Sequence, residues 1–440
     1  MRGNILENSK EVKSEVNLNK IYHLPKNISA KMIFNKYLVI SPDYCNWLVF
    51  ETSTEYEVFK FIYEGKSIQE SLNKFNEEDV ISVVTQIEAK KFEEKQLRDN
   101  SKRNIYIYLT NNCNLRCKHC YMYSGDKKVD ELDFRHWTNI LNDFKEAGGN
   151  GVTFTGGEVL MYKWFSEIIE FTHNLGLSVT VLSNGLLWSS DKIRALSKYI
   201  DEIQISLDGY DSESYKRIRK KDGFNKAIST IKEFSKTKTH VCIAATPIFD
   251  SLDDFVNGFS TFSKKFIKQY PNVYIKLNME LIKGREVNLD EEENMIYNNK
   301  IRTLTEQIYP NFSKKNFVLN FKEKNFMSNC GFGEISIAPN GDVYWCNRIF
   351  ELPRAINIKD YNFSSLFKLS DHVKFNTDVN HSKVCSLCDI KYICGGGCRL
   401  KYPNIDNFEK VSLWNNTCPK GRKEKIYKQM IDSNEYFFEE

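Results

Sequence analysis

The sequence predicts an α/β protein with a partial (β/α)6 TIM-like barrel at its centre, a small winged-helix-like α/β domain before it and a cysteine-rich domain after it. Three observations lead to this prediction. Short runs of β-branched and aromatic residues alternate with amphipathic stretches between residues 104 and 310. Three strand-like runs followed by three helical patterns occupy the first 92 residues. Ten of the twelve cysteines fall within residues 113–120 and 330–418.

The N-terminal part of the chain has the pattern of a small independent domain. Its strand-like runs are residues 28–34, 37–40 and 47–51, and its helical patterns are residues 53–63, 67–75 and 77–92. Ser53 is the expected cap of the first helix. Ser67 and Glu70 form a capping box for the second. We therefore predict a winged-helix-like domain over residues 1–100, of which the polar residues 1–20 are expected to be flexible.

A charged stretch, residues 93–103, is the predicted linker to the barrel. Six strands are then expected at residues 105–109, 151–155, 178–182, 202–206, 241–245 and 273–277. Because helical stretches connect them, these strands should be parallel, with right-handed crossovers. Six repeats are too few to close an eight-stranded barrel, so a partial barrel is predicted over residues 104–310.

Three cysteines follow the first barrel strand at C-x3-C-x2-C spacing: Cys113, Cys117 and Cys120. The strand ends of such barrels are where catalytic residues are found. Three thiolates on one loop can bind three irons of a [4Fe–4S] cluster and leave the fourth iron open. A zinc site or three core cysteines would be the alternative, but zinc ligands usually come as paired C-x2-C units.

The triplet and its neighbours His119 and Tyr121 resemble the signature of the radical S-adenosylmethionine (SAM) enzymes. In that family the open iron binds the amino and carboxylate groups of SAM, and one electron from the cluster cleaves SAM to a 5′-deoxyadenosyl radical. The resemblance implies that Cys113, Cys117 and Cys120 hold the SAM cluster, and that His119 and Tyr121 contact SAM.

Later strand ends carry further motifs that resemble family positions around SAM. The resemblance assigns SAM contacts to Gly156, Gly157, Glu158, Ser183, Asn184, Ser206, Asp208 and Arg219. Glu158 would accept from the SAM ammonium, and Arg219 would pair with the SAM carboxylate, which suits a guanidinium. Arg217 or Arg285 could take that role instead. Ordinary turn chemistry would also explain Ser183, Asn184, Ser206 and Asp208.

The C-terminal cysteines resemble the seven-cysteine pattern of the SPASM extension, which holds two auxiliary [4Fe–4S] clusters. The pattern predicts a SPASM domain over residues 320–440. The resemblance assigns Cys330, Cys346 and Cys398 to auxiliary cluster I. It assigns Cys385, Cys388, Cys394 and Cys418 to auxiliary cluster II. A zinc ribbon built from Cys385, Cys388, Cys394 and Cys398 would be the alternative, but it leaves three cysteines unexplained.

Auxiliary cluster I lacks an obvious fourth ligand. Sulfatase-maturing members of the family have a further cysteine between the first two of the set, and none lies between Cys330 and Cys346 here. The fourth iron of this cluster would therefore stay open, or it would be bound by a non-cysteine ligand or by one of the isolated cysteines, Cys45 or Cys242. Both isolated cysteines are otherwise expected to be core residues.

Together these resemblances imply a radical SAM/SPASM peptide maturase. Such an enzyme uses SAM and three [4Fe–4S] clusters to install a modification, for example a thioether or carbon–carbon cross-link, in a ribosomally synthesised precursor peptide. The N-terminal domain resembles the peptide-recognition domain fused to many of these enzymes, which binds the leader of the precursor as an added strand. The implied partners are the precursor peptide and a one-electron reductant such as flavodoxin or ferredoxin.

Two other functions are compatible with parts of the sequence. A sulfatase maturase, which generates formylglycine, would carry an aspartate base where Asn347 stands, and an amide cannot accept a proton in the same way. An iron–sulfur electron carrier would not need the Gly-Gly-Glu motif. A net charge of +4 and three glutamates within residues 51–57 do not favour nucleic acid. No apolar run reaches the ~18 residues that span a bilayer, and without a signal peptide a cytoplasmic location is expected.

Overall fold

The computed structural model describes most of the chain. The described residues are 17–95, 102–126, 130–326, 328–349, 352, 354–401 and 418–438. They form two compact units. One unit contains the described residues of Met1–Asn100, Asn311–Phe332 and Lys374–Glu440, and the other those of Ser101–Pro310 and Gly333–Val373. The three predicted domains, the flexible residues 1–20 and the linker at 93–103 remain predictions.

The first unit begins with a three-stranded antiparallel sheet and three helices, in the predicted order. The elements are β1 (Ser29–Ile33), β2 (Lys36–Ser41), β3 (Asn46–Phe50), α1 (Ser53–Tyr63), α2 (Ile68–Lys74) and α3 (Glu77–Ala89). The sheet order is β1-β2-β3. Phe34 and Asn35 both adopt left-handed backbone conformations and form the two-residue turn between β1 and β2.

The two faces of this sheet are covered by different parts of the unit. Val39, Leu48 and Phe50 pack against α1 and α3. On the opposite face, Trp47 packs against aromatic residues near the C-terminal part of the chain, and its Nε1 donates to the Met430 carbonyl at 3.3 Å. Residues from both ends of the chain therefore share one hydrophobic core.

The helix caps confirm one sequence prediction and correct another. Ser67 and Glu70 form the predicted capping box of α2. Ser53 is not the cap of α1. It is the first helical residue, and Thr52 caps the helix in a reciprocal box with Glu55. Thr52 is the N-cap because Glu55 stands three residues after it and can accept a hydrogen bond from the backbone amide of the cap residue.

The second unit contains a nine-stranded sheet. Its strands are β4 (Asn104–Thr110), β5 (Gly151–Gly156), β6 (Ser178–Ser183), β7 (Glu202–Ser206), β8 (His240–Ala245), β9 (Val273–Leu277), β10 (Ser336–Ile337), β11 (Asp342–Tyr344) and β12 (Ile356–Asn357). The order is β12-β11-β10-β4-β5-β6-β7-β8-β9, and β4 to β9 are parallel. All six predicted barrel strands are confirmed. The three short strands beside β4 were not predicted.

Helices connect the parallel strands, as a partial (β/α)6 barrel requires. They are α4 (Phe134–Glu146), α5 (Phe165–Asn174), α6 (Ser190–Leu196), α7 (Ser212–Arg219), α8 (Phe224–Phe234) and α9 (Leu252–Gln269). The later helices are α10 (Glu291–Ile308), α11 (Phe312–Lys322), α12 (Phe363–Asn376), α13 (Lys391–Cys394) and α14 (Arg422–Asp432). In the described residues no helix is both long and apolar enough to cross a membrane.

The parallel strands have one apolar and one polar face. Ile107, Phe154 and Ile203 are fully buried on the apolar face, where helices pack. Thr153 and Gln204 lie on the opposite face and are partly exposed. Because side chains alternate along a strand, this pattern gives the barrel a polar inner face that leads to the ends of the strands.

Candidate active site

The three cysteines of the first motif lie on a loop that begins where β4 ends. The loop is closed by two backbone hydrogen bonds: the Cys113 amide donates to the Gly125 carbonyl at 2.8 Å, and the Gly125 amide donates to the Asn111 carbonyl at 3.0 Å. Burial raises the pKa of the Cys113 thiol to about 11 and also raises the pKa of Cys117. Burial thus disfavours free thiolates at these positions, and a bound metal cluster would supply the positive charge that stabilises them.

The Gly-Gly-Glu motif packs directly against this cysteine loop. The Gly157 amide donates to the Thr110 carbonyl at 2.7 Å, and the Glu158 amide donates to the Asn112 carbonyl at 2.8 Å. A Cβ atom on Gly157 would lie 2.2 Å from the Asn112 oxygen. The absence of a side chain at Gly157 therefore permits two backbone segments to meet, and so ties the Glu158 segment to the cysteine loop.

Glu158 is the centre of a buried hydrogen-bond network. Its carboxylate accepts from the Ser183 hydroxyl at 2.8 Å and from the Asn184 amide at 2.7 Å. Burial raises the pKa of Glu158, and these hydrogen bonds oppose the increase. The Asn184 side chain in turn donates to Asn114 Oδ1, on the cysteine loop, at 2.7 Å. Three predicted SAM contacts thus share one network beside Cys113.

A second buried network lies beside Cys117. Arg219 Nε is 2.5 Å from Asp208 Oδ2, and His119 Nε2 is 3.4 Å from the same oxygen. The other oxygen of Asp208 accepts from the Thr246 amide at 2.8 Å. Although burial acts to lower the pKa of Arg219, the Asp208 carboxylate raises it above its usual value. Arg219 therefore carries a fixed positive charge next to the cysteine loop.

The three candidate arginines have different environments. Arg219 is buried within the network described above. Arg217 is much more exposed and lies 3.6 Å from Glu213 on its own helix. Arg285 donates to the carbonyls of Cys117 at 3.1 Å and Ser124 at 2.6 Å. Arg285 therefore holds the shape of the cysteine loop, a role that sequence reasoning missed because a lone loop arginine carries no pattern.

The predicted contacts Tyr121 and Ser206 lie in other surroundings. The Tyr121 hydroxyl is 3.0 Å from the Tyr108 hydroxyl, and both tyrosines donate to the Asn347 carbonyl. Ser206 is the last residue of β7 and lies on the polar inner face. The structure thus gathers Glu158, Ser183 and Asn184 near Cys113, and gathers His119, Asp208 and Arg219 near Cys117. Tyr121 contacts neither group through its hydroxyl.

The residues around the cysteine loop fit the [4Fe–4S] cluster and SAM that the resemblance implies. Among the described residues, no three His, Cys, Asp or Glu side chains converge as the ligands of one ion would. In a [4Fe–4S] cluster each thiolate binds a different iron, so the ligands surround the cluster rather than a point. His119 Nδ1 is buried and has no hydrogen-bond partner within the described chain. That nitrogen is one polar atom that a bound ligand would satisfy.

The four cysteines predicted for auxiliary cluster II lie together in the first unit. One cavity is lined by all four: Cys385, Cys388, Cys394 and Cys418. Arg422 Nε donates to Cys394 Sγ at 3.2 Å, and Lys391 and Lys423 also line the cavity. Positive charges around four thiols suit an anionic iron–sulfur cluster, so these residues fit the group that the resemblance implies.

A buried arginine supports the same cysteine segment. Arg399 is fully buried, and its guanidinium donates to the carbonyls of Thr377 at 2.7 Å, Gly395 at 2.9 Å and Gly397 at 2.6 Å. The three glycines from 395 to 397 all have left-handed backbone conformations. Arg399 therefore fixes an unusual turn between Cys394 and Cys398, and nothing in the sequence pattern pointed to it.

The ligands of auxiliary cluster I remain a prediction. Cys330 and Cys398 belong to the first unit and Cys346 to the second. The isolated cysteines are both buried, as expected of core residues. Cys45 packs in the core around Trp47. Cys242 lies in β8, where burial raises the pKa of its thiol to about 11.

A partial barrel whose first strand ends in a three-cysteine loop is the fold of radical SAM enzymes. In agreement, residues 107–257 match the Radical SAM superfamily. This part of the chain is a radical SAM domain.

Two curated relatives are similar to the chain in sequence. The sporulation killing factor maturation protein SkfB of Bacillus subtilis is 35% identical over 141 residues, which cover 32% of this chain and 34% of SkfB. The antilisterial bacteriocin subtilosin biosynthesis protein AlbA of the same organism is 24% identical over 331 residues, 69% of either chain. The chain thus aligns with about a third of SkfB.

Solved structures share the fold. SuiB of Streptococcus suis bound to S-adenosylmethionine superposes with a TM-score of 0.51 at 15% identity, over 90% of this chain and 99% of SuiB. The protein anSMEcpe with bound AdoMet and a Cp18Cys peptide gives a TM-score of 0.55 at 19% identity, over 77% of this chain and 98% of that chain. Another structure holds SuiB bound to its precursor peptide SuiA, at a TM-score of 0.50.

Proposed function

We propose that this chain is a radical SAM/SPASM enzyme that installs a cross-link, such as a thioether or carbon–carbon bond, in a ribosomally synthesised precursor peptide. The observation that carries the proposal is the cysteine loop with two buried polar networks, one around Glu158 and one around Asp208. SkfB is a maturation protein for a sporulation killing factor and AlbA is a bacteriocin biosynthesis protein, which supports a peptide substrate.

Each network has a separate task in this proposal. When bound by Cys113, Cys117 and Cys120, a [4Fe–4S] cluster supplies the electron that cleaves SAM. Glu158 accepts an additional hydrogen bond from the SAM ammonium and keeps its present donors, because a carboxylate has about four acceptor sites. Arg219, kept cationic by Asp208, pairs with the SAM carboxylate. The buried surroundings exclude water from both contacts, which strengthens them.

The polar inner face of the barrel is the proposed site for the peptide segment that is modified. Thr155, Gln204 and Ser206 offer hydrogen-bonding groups there and are partly exposed. An extended peptide needs partners for its backbone amides and carbonyls, which an apolar channel would not provide.

We also propose an external one-electron reductant, and a cytoplasmic location in which the twelve cysteines stay free thiols until they bind metal.

The sheet of the N-terminal segment is the proposed site for the leader of the precursor, and its two edges differ. The β3 edge is closed by α3, because the Val49 amide donates to Gln86 Oε1 at 3.1 Å and Lys90 Nζ donates to the Trp47 carbonyl at 3.2 Å. In the described chain β1 pairs only with β2. We therefore propose that the leader adds as a strand beside β1.

The turn geometry identifies the backbone groups that would receive the leader. In a two-residue hairpin the pair flanking the turn, here Ile33 and Lys36, is hydrogen-bonded. Pairs alternate from there, so the amides and carbonyls of Ala30 and Met32 point away from β2. Met32 is 66% exposed, so a peptide strand can reach this edge.

A proline substitution tests the leader site. Ala30→Pro removes an outward amide but keeps the hairpin bonds, since edge strands tolerate proline there. We expect the affinity for the leader to fall at least about tenfold. This change corresponds to a loss of roughly 1.4 kcal/mol of hydrogen-bond free energy. Ala30→Ser keeps the amide and should bind as the wild type does. Equal binding by both variants would exclude the β1 edge.

The sulfatase-maturase function is the less favoured alternative. The anSMEcpe structure shares the fold, but Asn347 replaces the expected aspartate, and its backbone carbonyl is bound by two tyrosines. A sulfatase-derived peptide containing cysteine or serine should therefore not be converted to formylglycine.

The direct test uses a candidate precursor peptide encoded beside the gene. The anaerobically reconstituted chain, SAM and a reductant should produce a peptide lighter by two hydrogens, with a new cross-link visible by tandem mass spectrometry. The variant with Cys113, Cys117 and Cys120 replaced by alanine should leave the peptide unchanged. If such precursors bind the chain but none is modified while SAM is cleaved, the peptide-maturase proposal is wrong.

A further inference from the structure

Cross-link formation requires a proton acceptor that the residues described so far do not provide. The radical takes one hydrogen atom from a substrate carbon and becomes 5′-deoxyadenosine. Forming the new bond then removes one proton from the partner group, such as a thiol, and one electron. An auxiliary [4Fe–4S] cluster can take the electron, but the proton needs a base within hydrogen-bond reach of the substrate.

Four buried or partly buried carboxylates of the second unit are already held by hydrogen bonds or ion pairs. Glu158 and Asp208 are each only 1% exposed and are held by the buried networks. Glu131 accepts from the Thr110 hydroxyl at 2.5 Å. Asp342 is bound by Asn340 and Asn357. None of these four can turn to a substrate without leaving buried or paired donors behind.

Two further carboxylates lie at the wrong end of the barrel. Glu202 is the first residue of β7 and accepts from the Tyr274 hydroxyl at 2.7 Å. Glu334 precedes β10, which runs parallel to β4. Both are therefore at the N-terminal ends of parallel strands, whereas the cysteine loop and the SAM motifs are at the C-terminal ends.

Glu280 differs from all of these carboxylates. It follows the C-terminal end of β9, which ends at Leu277. Its Oε2 lies 3.5 Å from Arg348 NH1, and its side chain is 38% exposed. The carboxylate is therefore at the catalytic end of the barrel, is oriented by a partner and remains accessible to a substrate.

The partner of Glu280 connects it to the cysteine loop. Arg348 directly follows Asn347, whose carbonyl accepts from Tyr108 and Tyr121. Tyr121 directly follows Cys120, and its hydroxyl is 3.4 Å from the Asn347 carbonyl, so Arg348 lies beside the cysteine loop. The ion pair thus brings the Glu280 carboxylate to the loop that contains Asn347. Sulfatase maturases carry an aspartate at the position of Asn347.

We propose that Glu280 is the base of the cross-linking step, which rests on the proposed peptide-maturase function. Glu280 accepts the proton of the partner group as the new bond forms; an auxiliary [4Fe–4S] cluster held by the C-terminal cysteines would be the acceptor of the electron. Arg348 is a positioning residue that holds the carboxylate beside the 346–348 loop. Asn347 does not take part in the proton transfer.

A matched pair of variants tests this proposal. Glu280→Gln keeps the size of the side chain but removes its basicity. Glu286→Gln is the control, because Glu286 lies in the same segment, is 42% exposed and is also paired, with Lys220 at 2.9 Å. Both holoenzymes are supplied with SAM, dithionite and the precursor peptide. Product and 5′-deoxyadenosine are measured in the same samples.

We expect Glu280→Gln to form 5′-deoxyadenosine at the wild-type rate while cross-linked product falls about 100-fold, the usual contribution of general-base catalysis. Glu280→Asp should restore part of the product, and Glu286→Gln should match the wild type. The proposal is overturned if Glu280→Gln keeps the wild-type ratio of product to 5′-deoxyadenosine, or if both fall together. A wild-type enzyme that makes no product would instead refute the proposed function.

Discussion

At the scale of single residues, the site depends on a few buried polar atoms whose partners are fixed. Glu158 is the clearest case, because it binds two different segments and also faces the proposed SAM position. The place of Glu158 after a strand predicts its role. The sequence names Arg285 only as an alternative partner of the SAM carboxylate, because its hydrogen bonds to the Cys117 and Ser124 carbonyls leave no periodic pattern.

The first residue-scale prediction concerns Glu158. Glu158→Ala leaves the Ser183 hydroxyl and the Asn184 amide without their buried acceptor, so the free energy of unfolding should fall by about 1 to 3 kcal/mol. Chemical denaturation measures this change. Glu170→Ala is the control, because that glutamate accepts only from the exposed Tyr199 hydroxyl. Equal stability losses in the two variants would contradict the role of Glu158 as a buried hub.

The second residue-scale prediction concerns Gly157. Gly157→Ala would place a Cβ atom 2.2 Å from the Asn112 oxygen, so the cysteine loop must move. We expect the variant to lose the SAM cluster, about four irons per chain, while the auxiliary clusters remain. Gly148→Ala is the control, because a Cβ atom there meets no neighbour and only the left-handed backbone is strained. Full iron content in Gly157→Ala would show that the loop tolerates the shift.

At the scale of elements, sequence periodicity identified all six barrel strands but not β10 to β12. The barrel strands have five to seven residues and alternate apolar with polar positions, which gives a strong signal. The strands β10 and β12 have only two residues each. Strand β10 pairs with β4 and β12 pairs with β11, and local sequence does not encode such tertiary pairing.

The turn supported by Arg399 gives an element-scale prediction. Arg399→Met would leave the carbonyls of Thr377, Gly395 and Gly397 buried without donors, and the turn between Cys394 and Cys398 should lose its shape. We expect iron content to fall by about four per chain, since Cys394 would leave its proposed cluster. SAM cleavage by the barrel should continue. An unchanged iron content would exclude this supporting role.

The short strand β11 should make stability depend on pH. Burial acts to raise the pKa of Asp342, but hydrogen bonds from Asn357, Asn340 and Arg354 hold it below its usual value of 3.8. A depressed pKa stabilises the folded state above the unfolded pKa, and this stabilisation is lost as pH falls through the folded value. Asp342→Asn should thus destabilise the chain by about 1 kcal/mol at pH 7, and this difference should shrink as the pH falls below 3.8. A constant difference across this range, measured by urea unfolding, would contradict the shift.

At the scale of the whole molecule, the sequence did not indicate which distant segments pack together. The strands and helices of the first 92 residues share one core. On the other face of their sheet, Trp47 belongs to a second core with Phe317, Phe321 and Met430, far along the chain. Such pairing depends on which exposed apolar face finds which partner, and single-sequence patterns do not specify that choice.

Total iron is the whole-molecule prediction. The reconstituted chain should hold about twelve irons and an equal amount of acid-labile sulfide, because three [4Fe–4S] clusters are proposed. Replacing Cys113, Cys117 and Cys120 by alanine should reduce iron to about eight. About four irons together with bound zinc would mean that the C-terminal cysteines form a zinc site and that the auxiliary clusters do not exist.

The central claim is that this chain cleaves SAM by one-electron reduction. The most direct measurement is 5′-deoxyadenosine released from SAM by the reconstituted protein under dithionite, without oxygen. We expect several equivalents of 5′-deoxyadenosine per chain from the wild type in the presence of peptide. We expect none from the variant that lacks the three cysteines of the first loop. If a wild-type protein with a full complement of iron releases no 5′-deoxyadenosine, the chain does not cleave SAM in this way.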